Sequence, residues 1–290
     1  MPVVFGIDLA TDLEMDLRIP EAEPLLGSLA VEWRWEAGNS LDLQHDRQIT
    51  LGPPHRFDYP RGVSFEVSKS DSEVVVFAPQ SERRYAEVML VSHVVPFVAR
   101  LRGNLVLHAA TVEIEGGQVL IVGPSGAGKS TISMRLSHEG AAFLSDDVSV
   151  IVKSGDGYSV LPGPQECRLW EDMASVVQPG EEFDSVYPGT PKKRVSAEFS
   201  RKPAHDSKLK HVVLLRQDSE SKVQRVRRRE VVISLMHNVR DGDQMPIFQH
   251  ELDMITALSA ETQGYQASRP LAESEQPNFA NILRASLLDS

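Results

Sequence analysis

Cysteine is almost absent. The 290 residues hold one, Cys167, so an internal disulfide and a zinc site built on cysteines are both excluded. What remains for Cys167 is a small buried or half-buried side chain. Long apolar runs are missing too. Val94-Val95-Pro96-Phe97-Val98-Ala99 is far too short to span a bilayer. The start of the chain lacks the basic-then-apolar order of a signal peptide. These absences point to a cytoplasmic protein with no membrane partner. Aromatics make up 6% of the chain and do not alternate with its basic residues, which argues against a nucleic-acid partner.

Positive charge is scarce overall, 30 Lys and Arg against 41 Asp and Glu, but it is not evenly spread. Residues 192–240 carry 14 basic and 5 acidic side chains, so a basic segment sits in an acidic chain. For Lys192-Lys193-Arg194, after a Pro-Gly-Thr-Pro loop, contact with a triphosphate or an acidic partner competes evenly with solvation. For Arg227-Arg228-Arg229 a solvated edge is the plainer reading.

Against these gaps stands one complete motif: Gly123, Pro124, Ser125, Gly126, Ala127, Gly128, Lys129, Ser130 and Thr131. Two glycines bracket four residues and Lys-Ser follows, the pattern of a phosphate-binding loop. The apolar run Val119–Val122 enters it as a buried strand would, and a helical stretch from Lys129 to Glu139 leaves it, with Gly140 placed to stop the helix. Glycines allow successive N–H groups to curl around phosphate oxygens, and the helix turns its positive end toward them. Lys129 can reach the outer phosphates and the Ser130 hydroxyl can ligate Mg²⁺. The spacing therefore predicts a nucleoside triphosphate site.

Residues 1–82 read as a small β-rich module and residues 83–290 as the domain that carries the loop. In the first part Val31-Glu32-Trp33-Arg34-Trp35-Glu36 and Val63-Ser64-Phe65-Glu66-Val67 alternate, while Glu73–Phe77 reads as a buried strand. From Glu82 to Gly103 the pattern turns helical, with Pro96 predicting a kink or two shorter helices. Leu105–Ile114 and Gln118–Val122 read as two strands joined at Glu115-Gly116-Gly117. A hairpin leading into the loop implies a mixed sheet and not a purely parallel one. Further on, strands are predicted at 141–152, 210–216 and 264–267, and helices at 171–177, 230–238, 249–258 and 277–288.

Asp146 follows Lys129 by 17 residues, at the tip of a short apolar strand, with Asp147 beside it. If that strand neighbours the loop strand, both carboxylates emerge where the phosphates sit. One can serve a metal and the other can accept a proton from an incoming hydroxyl. His108 lies on the strand that turns into the loop, in reach of the same edge.

Leu107-His108-Ala109-Ala110, the Gly-Gly hairpin, the loop and Leu144-Ser145-Asp146-Asp147 together resemble the HPr kinase/phosphorylase-like serine kinases. The likeness covers about residues 105–150, and its closest flavour is the branch that phosphorylates precursor peptides, such as the lasso-peptide kinases. It implies an α/β fold with a mixed-sheet P-loop kinase core, shared with the ATP-dependent phosphoenolpyruvate carboxykinases. It also implies ATP with Mg²⁺ and transfer to a serine of a peptide or protein, and leaves a homo-oligomer open. Carried over by position, His108 and Asp146 form the acid/base site, Lys129 and Ser130 hold phosphates and metal, and Asp147 assists the metal. The glycine-rich Arg-Gly signature of true HPr kinases is not found. That departure weighs against HPr as substrate and against phosphorylase activity. Arg168 and Lys192 or Lys193 occupy plausible places for acceptor or phosphate contacts. A transporter ATPase is excluded, because no Leu-Ser-Gly-Gly signature follows the loop. A nucleotide-gated binding protein and a small-metabolite kinase stay as alternatives.

Overall fold

The computed structural model describes every residue except 1, 16–17, 19–22, 37–46, 198–201, 205, 243, 271–275 and 289–290. The chain is mixed α/β. Its first 77 residues supply a seven-stranded sheet in the order Val3–Val4, Ile7–Ala10, Ser28–Arg34, Glu73–Phe77, Val63–Val67, His55–Tyr59, Gln48–Thr50. The strand Glu73–Phe77 is not buried throughout: Val74 and Val76 face the core while Glu73 is exposed. Likewise Val31 is covered, but Trp35 on the same face is 39% exposed.

The helical stretch packs its apolar face on this sheet. Phe97 meets Phe57 edge to face at 4.9 Å and His55 at 5.1 Å. Burying a side chain of this size stabilises by about 1.5–3 kcal/mol. His55 opens the strand His55–Tyr59. Pro96 cannot donate to the Ser92 carbonyl, four residues back. A wide π-type turn at Leu90–Val94 resolves the conflict, joining the helices Arg83–Met89 and Val95–Leu101, with the Val95 N–H reaching Leu90 O. The apolar cluster continues past this helix to Val106, Val148, Val150 and Leu161.

The loop strand Gly117–Val122 is central in a six-stranded mixed sheet ordered Ala142–Ser145, Ala109–Ile114, Gly117–Val122, Lys208–Asp218, Gln263–Pro270, Lys222–Arg225. It pairs antiparallel with the hairpin strand Ala109–Ile114 and parallel with Lys208–Asp218, as a hairpin entry demands. Its Val119–Val122 run is apolar because both faces are covered. Leu120 and Val122 pack with helices Arg228–His237 and Gln249–Glu261; Val119 and Ile121 pack with Lys129–His138 and Gln276–Leu288. A three-stranded sheet (Gly157–Leu161, Ser149–Ser154, Leu105–Leu107) and a ribbon of Glu166–Trp170 with Lys192–Ser196 complete the frame. Among the described residues no helix is long and apolar enough to cross a membrane.

Candidate functional site

Two runs that the sequence reads as continuous strands both break, and they break side by side. Leu105–Ile114 divides at His108, leaving Leu105–Leu107 in the three-stranded sheet and Ala109–Ile114 in the six-stranded one. The following run divides between Ser145 and Ser149. Ser145 pairs opposite Thr111 and Ser149 opposite Leu107, so His108 faces the bend that holds Asp146 and Asp147. That bend is a γ-turn: the Val148 N–H bonds Asp146 O at 2.8 Å, with Asp147 held at φ +66°. A non-glycine residue in this region costs of order 1–3 kcal/mol, and such strain is concentrated at functional sites.

The aspartate strand does not border the loop strand, contrary to the sequence expectation, because Ala109–Ile114 lies between them. Two successive antiparallel pairings nonetheless leave it parallel to the loop strand, so its tip and the loop share one end of the sheet. At that end Gly123 turns the chain where a Cβ would come within 2.3 Å of Leu215 O. Lys129, 7% exposed, donates from Nζ to Gly123 O at 2.8 Å, Pro124 O at 3.2 Å and His108 Nε2 at 3.1 Å. A lysine only donates, so Nε2 is the accepting nitrogen and the ring proton sits on Nδ1. Nδ1 is 2.9 Å from Asp147 O and 3.2 Å from its Oδ1. The geometry thus gathers His108, Lys129, Asp146, Asp147 and Ser130 around the first turn of the helix after the loop.

Two arginines close the cluster. Arg240 Nη2 lies 3.5 Å from Asp147 Oδ2 and donates to Ser92 O at 3.2 Å. Arg168 donates from Nη1 to Ser92 Oγ at 2.5 Å and from its backbone N–H to Asp146 Oδ2 at 3.2 Å. Ser92 therefore anchors both, and its carbonyl is the one to which Pro96, four residues on, can donate nothing.

The two carboxylates differ electrostatically. Burial raises the Asp146 carboxyl above its ordinary range and the charge of Asp147 adds to this, while the Ser130 hydroxyl and the Arg168 N–H oppose it. Its Oδ1 is buried and has no hydrogen-bond partner among the described residues. Burial pushes Asp147 up as well, but Arg240, His108 and Arg168 together outweigh it and hold the carboxyl well below the usual range. Burial lowers the Lys129 ammonium against the pull of both aspartates. Next to the pair opens a cleft of about 210 Å³, bounded by Met89, Arg168, Trp170, Tyr187 and Lys192, with Ser130, Asp146 and Asp147 also lining it.

A family model described as "ScmC: SynChlorMet cassette protein ScmC" matches residues 74–180. No curated protein matches the chain. Among solved structures, the Hpr(Ser) kinase/phosphatase from Coxiella burnetii is similar at 12% identity and a TM-score of 0.32, over 63% of this chain and 88% of that one.

Arg240 and Ser92 escaped the sequence reading. Arg240 is one of 14 basic residues in its segment, and a charge count cannot single it out. Ser92 carried a faint signal in Pro96, four residues later. The three basic residues of the 192–194 cluster part company. Arg194 is buried against Glu166 at 2.9 Å, Lys193 meets Glu171 at 3.3 Å, and Lys192 sits over the Trp170 ring at the cleft. At 227–229, Arg228 donates to Ser259 Oγ and Thr256 O, tying two helices together. Cys167 is fully buried.

Proposed function

We propose that the chain is an ATP-dependent, Mg²⁺-dependent kinase that transfers the γ-phosphoryl group to a serine hydroxyl of a protein or precursor peptide. The supporting observation is the convergence of His108, Asp146 and Asp147 on Lys129 at the phosphate loop, beside a cleft wide enough for an acceptor side chain. Phosphoryl transfer relies on positioning and charge neutralisation, and this cluster can supply both.

The donor set fits Mg²⁺. The Ser130 side chain lines the cleft beside the Asp146 carboxylate, whose Oδ1 is buried and, among the described residues, without a hydrogen-bond partner. Among the described residues no three His, Cys, Asp or Glu gather as a metal site, but Mg²⁺ needs only one or two protein oxygens besides water and phosphate. Ser130 would hold it through its hydroxyl, with water and phosphate oxygens completing its shell, which leaves Asp146 free as the base; the ion would supply charge neutralisation on the phosphates. Asp147, already matched by Arg240 and His108, has less to offer a cation than the resemblance implied. Its role in this reading is to fix the His108 tautomer and to hold Arg240. Lys129, freed from His108 when phosphate arrives, binds the outer phosphates. The acceptor oxygen bonds to the γ-phosphorus, the bond to the ADP oxygen breaks, and Asp146 takes the hydroxyl proton.

Incubation with γ-labelled ATP and serine peptides tests this reading, with label expected on serine. If ATP binds and no hydroxyl is labelled, the chain is a nucleotide-responsive binding protein instead. Lys129→Ala should weaken ATP binding at least tenfold, since a hydrogen-bonded charge contact contributes about 1.5–3 kcal/mol; calorimetry reads it directly. A pH effect follows from Asp146. A raised carboxyl keeps its proton to higher pH, and a protonated base is inactive. The kcat/KM profile should therefore rise with pH through a midpoint above the ordinary aspartate range, and Asp146→Asn should abolish that limb.

A further inference from the structure

The loop carries a second set of contacts, on the side away from its N–H groups. Arg269, at the end of Gln263–Pro270, donates from Nε to Ala127 O at 3.1 Å. It lies so close to Gly128, held at φ +96°, that a Cβ there would meet Nε at 2.7 Å. Gln217, on the neighbouring strand Lys208–Asp218, donates from Nε2 to Gly126 O at 3.0 Å. Lys129 holds the carbonyls of Gly123 and Pro124. Four carbonyls of the loop thus accept from side chains. A peptide plane whose carbonyl is pinned outward turns the N–H of the next residue inward, and inward N–H groups are what bind phosphate: the Ala127 carbonyl sets the Gly128 N–H in this way, while the Gly126 carbonyl sets the Ala127 N–H, which bonds Pro124 O at 3.1 Å and braces the turn. Arg269 is 7% exposed, and burial and nearby Arg135 both work against its charge, so the position is not a comfortable one for a guanidinium.

We propose that Arg269, with Gln217 in support, is a positioning residue that clamps the loop's outer carbonyls and thereby presets its N–H groups for a nucleotide's β-phosphate. This rests on the nucleotide reading above. The clamp comes from the two strands beyond the loop strand, opposite the His108 side, and touches no reacting atom.

The test is calorimetric binding of ATP, ADP and AMP to wild type, Arg269→Ala and Gln217→Ala, with kcat measured at saturating ATP. Arg269→Ala should weaken ATP and ADP by the same factor, about 10–100-fold for a charged donor, with AMP nearly unchanged and kcat within a few-fold. Gln217→Ala, at an exposed position, should give a smaller loss in the same ratio. Loss for ATP alone would make Arg269 a γ-phosphate ligand and overturn the clamp. So would unchanged ATP affinity in folded Arg269→Ala. If that variant fails to fold, Gln217→Ala decides: equal weakening of ATP and ADP supports the clamp, and no change refutes it. Failure of wild type to bind ATP would instead refute the nucleotide reading itself.

Discussion

Asp146→Asn should lower turnover by about 10²–10⁴-fold while changing metal-free ATP affinity by no more than a few-fold. The substitution keeps the size and the acceptor for the Arg168 N–H, which lies 3.2 Å from Oδ2. It removes the charge and the basic lone pair at Oδ1, the oxygen that has no partner among the described residues. Nucleotide phosphates, by contrast, are held by the loop N–H groups and Lys129, which the change leaves alone. Single-turnover kinetics with labelled ATP, beside calorimetry without metal, separates the two quantities. An asparagine variant as active as wild type would remove Asp146 from the reaction. One that loses metal-free ATP binding as fully as Lys129→Ala would make the carboxylate a structural prop of the loop.

The largest effect on stability is expected at Arg100. Its guanidinium is completely buried with Glu251, likewise at 0% exposure. Nε and Nη2 meet the two carboxylate oxygens at 2.7 and 2.8 Å, and the remaining donors reach Arg240 O at 2.7 Å and Pro246 O at 3.2 Å. Arg100→Ala would strand the Glu251 charge in the interior, at a cost of about 3–5 kcal/mol in unfolding free energy. Denaturant titration measures that loss. Replacing both partners by apolar residues of similar volume should recover most of it, because the penalty comes from the unpaired charge. If Arg100→Ala unfolds within about 1 kcal/mol of wild type, the ion pair is better hydrated than its burial implies. The same guanidinium holds the backbone of Arg240, so a surviving Arg100→Ala protein should also turn over more slowly.

How much of this could be read from the chain follows from the range of the forces involved. Local signals were legible. The apolar strand before Gly123, the glycine stop at Gly140 and the helix at Glu171–Val177 each stand where periodicity and turn chemistry put them. The mixed sheet was legible too, since the Glu115-Gly116-Gly117 turn forces its first two strands antiparallel. What periodicity could not reveal was that the runs 105–114 and 142–152 both change sheets part-way. Leu105–Ile114 is apolar on either side of His108, and 142–152 is apolar on either side of the aspartates, so nothing in hydropathy marks the break. The break is instead decided by long-range pairing, Ser149 with Leu107 and Ala142 with Glu113. For the same reason Arg240, whose contacts to Asp147 and Ser92 span about 90 and 150 residues of sequence, left no local trace. The residues named from sequence converge all the same, because the loop fixes one end of the sheet and two antiparallel steps return the chain to it.

The continuous apolar cluster from Val4 through Phe97 to Val150 bears on how the protein can be handled. Cutting the chain ahead of Arg83 to obtain a minimal loop-bearing fragment would strip the cover from Val88, Val95 and Phe97, all at most 1% exposed now. Such a fragment would show water an oily helix whose own turn grips Arg168 and Arg240. Its inactivity would then report collapse of that helix and say nothing about whether the amino-terminal strands take part in phosphate chemistry.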